Sequence, residues 1–193
     1  MKPIVVLPYS HEWPRSFEAL KSVIEPVISP FITAFEHVGS TSVPGLASKP
    51  IIDIDIVVAS AASMEAVIKL LETLGYRHRG DLGITGREAF IRTDSHVPYT
   101  ERRIIWPTHH LYACMENSLG LRNHLLLRDY LRAHPDEAEA YGALKRQLAL
   151  KFPGDMDRYI AGKTQFITDI LAKQGVSTHS LAQIRKENDL PTD

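Results

Sequence analysis

With 193 residues, 44% of them apolar and 23% charged, the chain has the composition of an ordinary soluble globular protein, enough for one domain or one domain plus a small helical subdomain. A net charge of −1 argues against a broad sequence-independent nucleic-acid surface, and a single cysteine, Cys114, excludes an internal disulfide or a cysteine-rich zinc site. No apolar run reaches the length of a membrane span and MKPIVVLPYSHEW lacks a signal-peptide core, so the expectation is a cytoplasmic protein without a membrane partner.

Residues 4–7 form a short apolar stretch closed by Pro8, an edge strand or an extended arm. Ser10 is a candidate cap for a helix in which Trp13, Phe17, Leu20, Ile24 and Val27 recur at 3/4 spacing; Pro14 suits its first turn, and Pro26 and Pro30 are expected to end it. Trp13 reads as core. Residues 31–38 read as the first sheet strand and run into the small-residue turn Gly39-Ser40-Thr41-Ser42, with Pro44 suited to the first turn of a short helix. Ile51–Val58 is a β-branched strand, after which Ser60 caps a helix with the apolar face Met64, Val67, Ile68, Leu71 and Leu74, ended by Gly75. Residues 76–116 read as a strand meander: 76–82 and 88–93 flank a Gly83/Gly86 turn, 94–100 is a loop and 108–115 a further strand. Helices are expected over 119–133, 135–151 and 155–173. From Gln174 the composition suggests a mobile tail or a loose helix.

The chemistry concentrates at the second strand and the turn before it. Alternate strand residues share a face, so Ile52, Ile54, Ile56 and Val58 point one way while Asp53 and Asp55, whose Cα atoms lie about 6.6 Å apart, point the other. Two carboxylates on an apolar strand need a cation, either Lys or Arg or a hard metal. Left unpaired they repel, and replacing both by Asn is then expected to raise the melting temperature. Gly39 lets backbone approach a ligand closely, and the N–H groups of the turn suit a phosphate.

An apolar residue with Gly-Ser, a gap of about twelve residues and then Asp-x-Asp, here Val38-Gly39-Ser40 and Asp53-Ile54-Asp55-Ile56, resembles the signature of the DNA polymerase beta-like nucleotidyltransferases. More narrowly, HVGSTSVPGL followed by KPIIDIDI resembles the GrpB family, over roughly residues 9–166. The resemblance implies an α/β (α+β) fold over 1–173, with a mixed sheet in about 1–116, flanking helices and a helical part in about 117–173. It implies a metal-dependent transfer of a nucleotidyl group from a nucleoside triphosphate to an unknown acceptor, with Mg²⁺ or Mn²⁺ on Asp53 and Asp55 and phosphates at Gly39, Ser40, Thr41 and Ser42. The alternative is a non-catalytic nucleotide- or phosphate-binding or accessory module, linked to coenzyme A metabolism through the similar segment of some dephospho-coenzyme A kinases. A salt-bridged pair of aspartates is the plain structural account.

A site of that class takes a third carboxylate from a later strand, yet 108–114 reads THHLYAC and holds none. His110, Tyr112 and Cys114 share one face there; His110 is either a ligand or base beside the aspartates or a histidine satisfied inside the sheet. Glu88 and Glu36 are further candidates for the third acid, Glu36 the weaker because it precedes the turn. Lys49 and Arg87 are candidates to face a phosphate, with surface charge as the alternative. Arg128 and Arg132, four residues apart on the stripe of Leu121 and Leu125, suit an interface or an anion unless Asp129 pairs with them. Lys163 interrupts the apolar stripe of Tyr159, Ile160, Phe166, Ile167, Ile170 and Leu171, and must snorkel outward or reach a polar cleft. Gly162-Lys163-Thr164 lacks the upstream glycine and strand of a P-loop.

Overall fold

A computed structural model describes residues 3–188. The elements follow the chain as α1 (Glu12–Ile28), β1 (Ala34–Val38), β2 (Ile52–Val58), α2 (Ala61–Thr73), β3 (Tyr76–His78), β4 (Arg87–Arg92), β5 (His109–Met115), α3 (Leu119–Ala133), α4 (Pro135–Lys151), α5 (Met156–Lys173) and α6 (Thr178–Asn188). The residues form two compact units, one of 11–42 and 51–124, the other of 1–10, 43–50 and 125–193 so far as described.

The first unit is built on a five-stranded mixed sheet in the order β1-β2-β5-β4-β3; β2 and β5 run parallel and every other pair antiparallel. The alternation read in the sequence gives the sheet its two faces. Ile52, Ile54, Ile56 and Val58 are buried, with Leu111 and Ala113 of β5 and Phe35 and His37 of β1 on the same face by register. Helices α1 and α2 pack on this sheet, and Phe17 of α1 stacks on His37 and tilts against Phe35. α1 buries Trp13, Phe17, Leu20, Ile24 and Ile28, and Pro26 lies in its last turns instead of ending it; the residue at its N-cap position is His11, one beyond Ser10. Ser60 caps α2 through Ser63 N–H, as its spacing predicts. β1 is shorter than expected because Ser29–Phe31 form a 3-10 turn, and the short helical turn after it is Ser40–Ser42, with Pro44 beyond it.

In the second unit, Ile4 and Leu7 belong to an extended arm tied to Pro153 and Ser48. Val43, Leu46, Leu131, Tyr141 and Ile170 form one buried cluster, and Ile4, Leu148, Ala149 and Tyr159 another. Where the sequence leaves a mobile tail or loose helix open, Thr178–Asn188 is the helix α6, whose Leu181 is buried with Leu171 and Val176. Residues 189–193 of that tail lie outside the described residues. No helix among the described residues is long and apolar enough to cross a membrane.

Candidate active site

The face of the sheet opposite α1 and α2 carries the polar groups. In register across it stand Glu36 of β1, Asp55 of β2 and Tyr112 of β5, and beside them Asp53 and His110. Arg87, Ala89 and Cys114 share this face. Glu88 pairs with Ala113, on the helix-covered face, where its carboxylate meets His78 at 2.6 Å. Of the two candidates for a third acid, Glu36 is therefore the one beside Asp55; it is not a free carboxylate.

Each aspartate has its own imidazole. His110 Nδ1–H donates to Asp53 Oδ1 at 2.9 Å, and His124 Nδ1–H donates to Asp55 Oδ2 at 2.7 Å. Asp55 is fully buried whereas the His110 side chain is 47% exposed. Burial pulls the basicity of His124 down, but the Asp55 carboxylate outweighs it and the pKa is raised. Because both carboxylates have partners, the gain in stability expected on replacing two repelling anions does not follow. His124 was missed in the sequence. Its contact with Asp55 joins residues 69 apart, and the one available signal was a histidine on the Leu121–Arg128–Leu131 stripe of a leucine-rich helix.

Tyr112 lies between the histidines, 6.4 Å from each ring. The guanidinium of Arg87 sits over the Tyr112 ring, 4.5 Å from its centre. Arg87 is 9% exposed and its buried Nε has no hydrogen-bond partner among the described residues. Burial and the nearby Asp53 carboxylate push the Tyr112 hydroxyl up, and burial does the same to the Cys114 thiol.

The turn meets the acidic strand directly. Gly39 has φ +68°, and a Cβ there would fall 2.9 Å from Asp53 Cβ and Cγ and closer still to its carboxylate. Only glycine leaves room for that approach. Thr41 is buried: its hydroxyl accepts from His37 Nε2–H and donates to the Ile51 carbonyl. Ser42 Oγ donates to Gly39 O. These hydroxyls thus shape the turn itself.

Lys49, Arg128 and Lys163 belong to the second unit. Lys49 and Lys163 both approach the Tyr159 ring, at 5.6 and 4.7 Å from its centre. Arg128 Nε donates to Asp129 at 2.7 Å, the salt bridge the sequence offered as the alternative, and Arg132 lies 3.9 Å from the same carboxylate.

A divalent cation is tested by the donors present. Asp55 Oδ1 is buried without a hydrogen-bond partner among the described residues, and an orphaned buried carboxylate oxygen needs a cation or a donor. Among the described residues no three His, Cys, Asp or Glu side chains converge on one point. The set therefore fits an ion of the Mg²⁺ type, held by one or two carboxylates and completed by substrate phosphates and water, and not an ion enclosed by protein ligands alone.

Fold and site together define an α/β protein whose mixed sheet presents two histidine-paired aspartates beside a glycine turn. Residues 3–173 match the family model described as GrpB protein. The chain belongs to the GrpB family. It is 36% identical over 166 residues to the UPF0157 protein YqkA of Bacillus subtilis, covering 86% of this chain but only 46% of that protein. The crystal structure of conserved protein GrpB from Enterococcus faecalis is 31% identical, with a TM-score of 0.74 over 93% of this chain and 98% of that one. At 27% identity over 183 residues the chain is also similar to a dephospho-CoA kinase of Mycolicibacterium paratuberculosis, of which it covers 45%.

Proposed function

We propose that this chain binds a nucleoside triphosphate with Mg²⁺ or Mn²⁺ and transfers its nucleotidyl group to an acceptor hydroxyl. The observation that carries the reading is the contact of the Gly39 turn with Asp53: a phosphate on the turn N–H groups and a cation on Asp53 and Asp55 would share one corner. When bound, the cation neutralises phosphate charge and orients the triphosphate. Asp53 and Asp55 hold it. Gly39, Ser40, Thr41 and Ser42 supply backbone donors, and Arg87 supplies a guanidinium for a phosphate oxygen. His110, oriented by Asp53 through Nδ1, keeps Nε2 for the acceptor proton. As the acceptor oxygen bonds to the α-phosphorus, pyrophosphate leaves and the proton passes to that nitrogen.

The second reading, a nucleotide- or phosphate-binding module that accompanies coenzyme A chemistry, is favoured by Tyr112 standing in register with Asp55 where a third carboxylate would serve transfer, and by the likeness to a dephospho-CoA kinase. Incubation with each nucleoside triphosphate, Mn²⁺ and pools of metabolites, RNA and protein separates the two. Pyrophosphate release above that of Asp53→Asn is the expected result; nucleotide binding with no release favours the module, and neither overturns both.

A further inference from the structure

We propose that the acidic face takes one divalent cation and not two, with the guanidinium of Arg87 supplying the second positive charge. The inference rests on the reading above and concerns what stands on either side of Asp55. A second ion a few ångströms from the first needs its own ligands from a strand next to β2. On the β5 side the residue in register with Asp55 is Tyr112, a phenol where a carboxylate would serve as ligand. Over that ring lies the guanidinium of Arg87, a planar cation stacked on the phenol. On the β1 side stands Glu36, which is not a free carboxylate.

The arginine is held as a fixed cation. It is nine-tenths buried and stacked on an aromatic ring, and its Nε is unpartnered among the described residues. A buried guanidinium retains a strong demand for an acceptor, and a phosphate oxygen meets it. The same charge raises the cost of a second M²⁺ on this face. Electrostatically the site is thus one mobile cation plus one built-in cation, suited to a ligand with at least two anionic groups. A triphosphate placed between Asp53/Asp55 and Arg87 is such a ligand.

Two titrations test this, one with Mn²⁺ alone and one with Mn²⁺ and a non-hydrolysable nucleoside triphosphate analogue, both read by the resonance of free Mn²⁺. The unmodified protein should bind one Mn²⁺ per chain in each. Arg87→Gln, which removes the repelling charge, should tighten Mn²⁺ alone by roughly fivefold and weaken the analogue by roughly tenfold. Arg87→Lys, which keeps the charge without the planar fork, should leave Mn²⁺ affinity unchanged and weaken the analogue, and it keeps the test open should the Gln variant not fold. Two Mn²⁺ per unmodified chain, or Mn²⁺ and analogue affinities that ignore Arg87→Gln, would overturn the inference while leaving nucleotide binding intact. Analogue that fails to bind the unmodified protein instead removes the proposed function, and the Mn²⁺-only titration then decides this inference by itself.

Discussion

A carboxylate with no exposure, such as Asp55, has to be explained by what it touches. One oxygen accepts from His124 at 2.7 Å and the other has no partner among the described residues, so the group is only half satisfied by the fold. Removing its charge discards the half the fold uses. Asp55→Asn is therefore expected to destabilise the protein by about 2 kcal/mol, the scale of a hydrogen bond to a charged group, with the midpoint of urea unfolding falling accordingly. Asp53→Asn, whose side chain and partner are both more exposed, should cost less. A double variant more stable than the parent would mean that the imidazoles do not pair with these acids in solution.

At the level of elements, much of this chain was legible because period and punctuation agree. α3 and α4 fall on their predicted limits, and α2 is set by the Ser60 cap and stopped near Gly75. β3 was overestimated: it pairs only over Tyr76–His78, and Arg79 and Gly80 bond to Ala89 outside the regular ladder. What sequence could not supply was the link across the sheet from β3 to β5. His109 Nδ1–H donates to the Pro107 carbonyl at 2.9 Å and Nε2 accepts from the Tyr76 hydroxyl at 2.6 Å. Burial, with Arg92 nearby, lowers the His109 pKa to about 4. A lowered histidine pKa means that the unfolded chain takes up the proton first. Stability is thus full above about pH 6.5 and declines as pH falls toward 4, by on the order of 3 kcal/mol from this residue. Urea unfolding at pH 7.5 and 4.5 should show that decline, reduced in His109→Gln, which keeps a donor and an acceptor but cannot titrate. An equal decline in both proteins would assign it to other groups.

For the molecule as a whole, the strand bearing Asp53 and Asp55 and the turn at Gly39 could be read from local pattern, and so could His110 and Arg87 as candidates, but that His110 of β5 and His124 of α3 each bond to one of the aspartates depends on how distant elements meet. Local period says which face a side chain takes, but strand order decides which strands meet, and that order places β5 beside β2 with three elements between them in sequence. The C-terminal segment shows the same limit. Its composition of Ser, Thr, Gln and Asn gives little reason to expect packing, yet Leu181 is 5% exposed and clusters with Leu171 and Val176, while Arg185 donates to the buried Thr168 hydroxyl. Leu181, with Ile184 packed against the same cluster, docks a short polar helix that on its own would be marginal in water. Leu181→Ala is then expected to cost about 2–3 kcal/mol through lost burial and the cavity left behind, and to loosen α6 as a unit. Gln183→Ala, two residues on and exposed, should stay within about 0.5 kcal/mol of the parent. Hydrogen exchange provides the second measurement: the amides of 178–188 should lose protection in Leu181→Ala and keep it in Gln183→Ala. If both variants match the parent in stability and exchange, α6 does not depend on Leu181 for its docking.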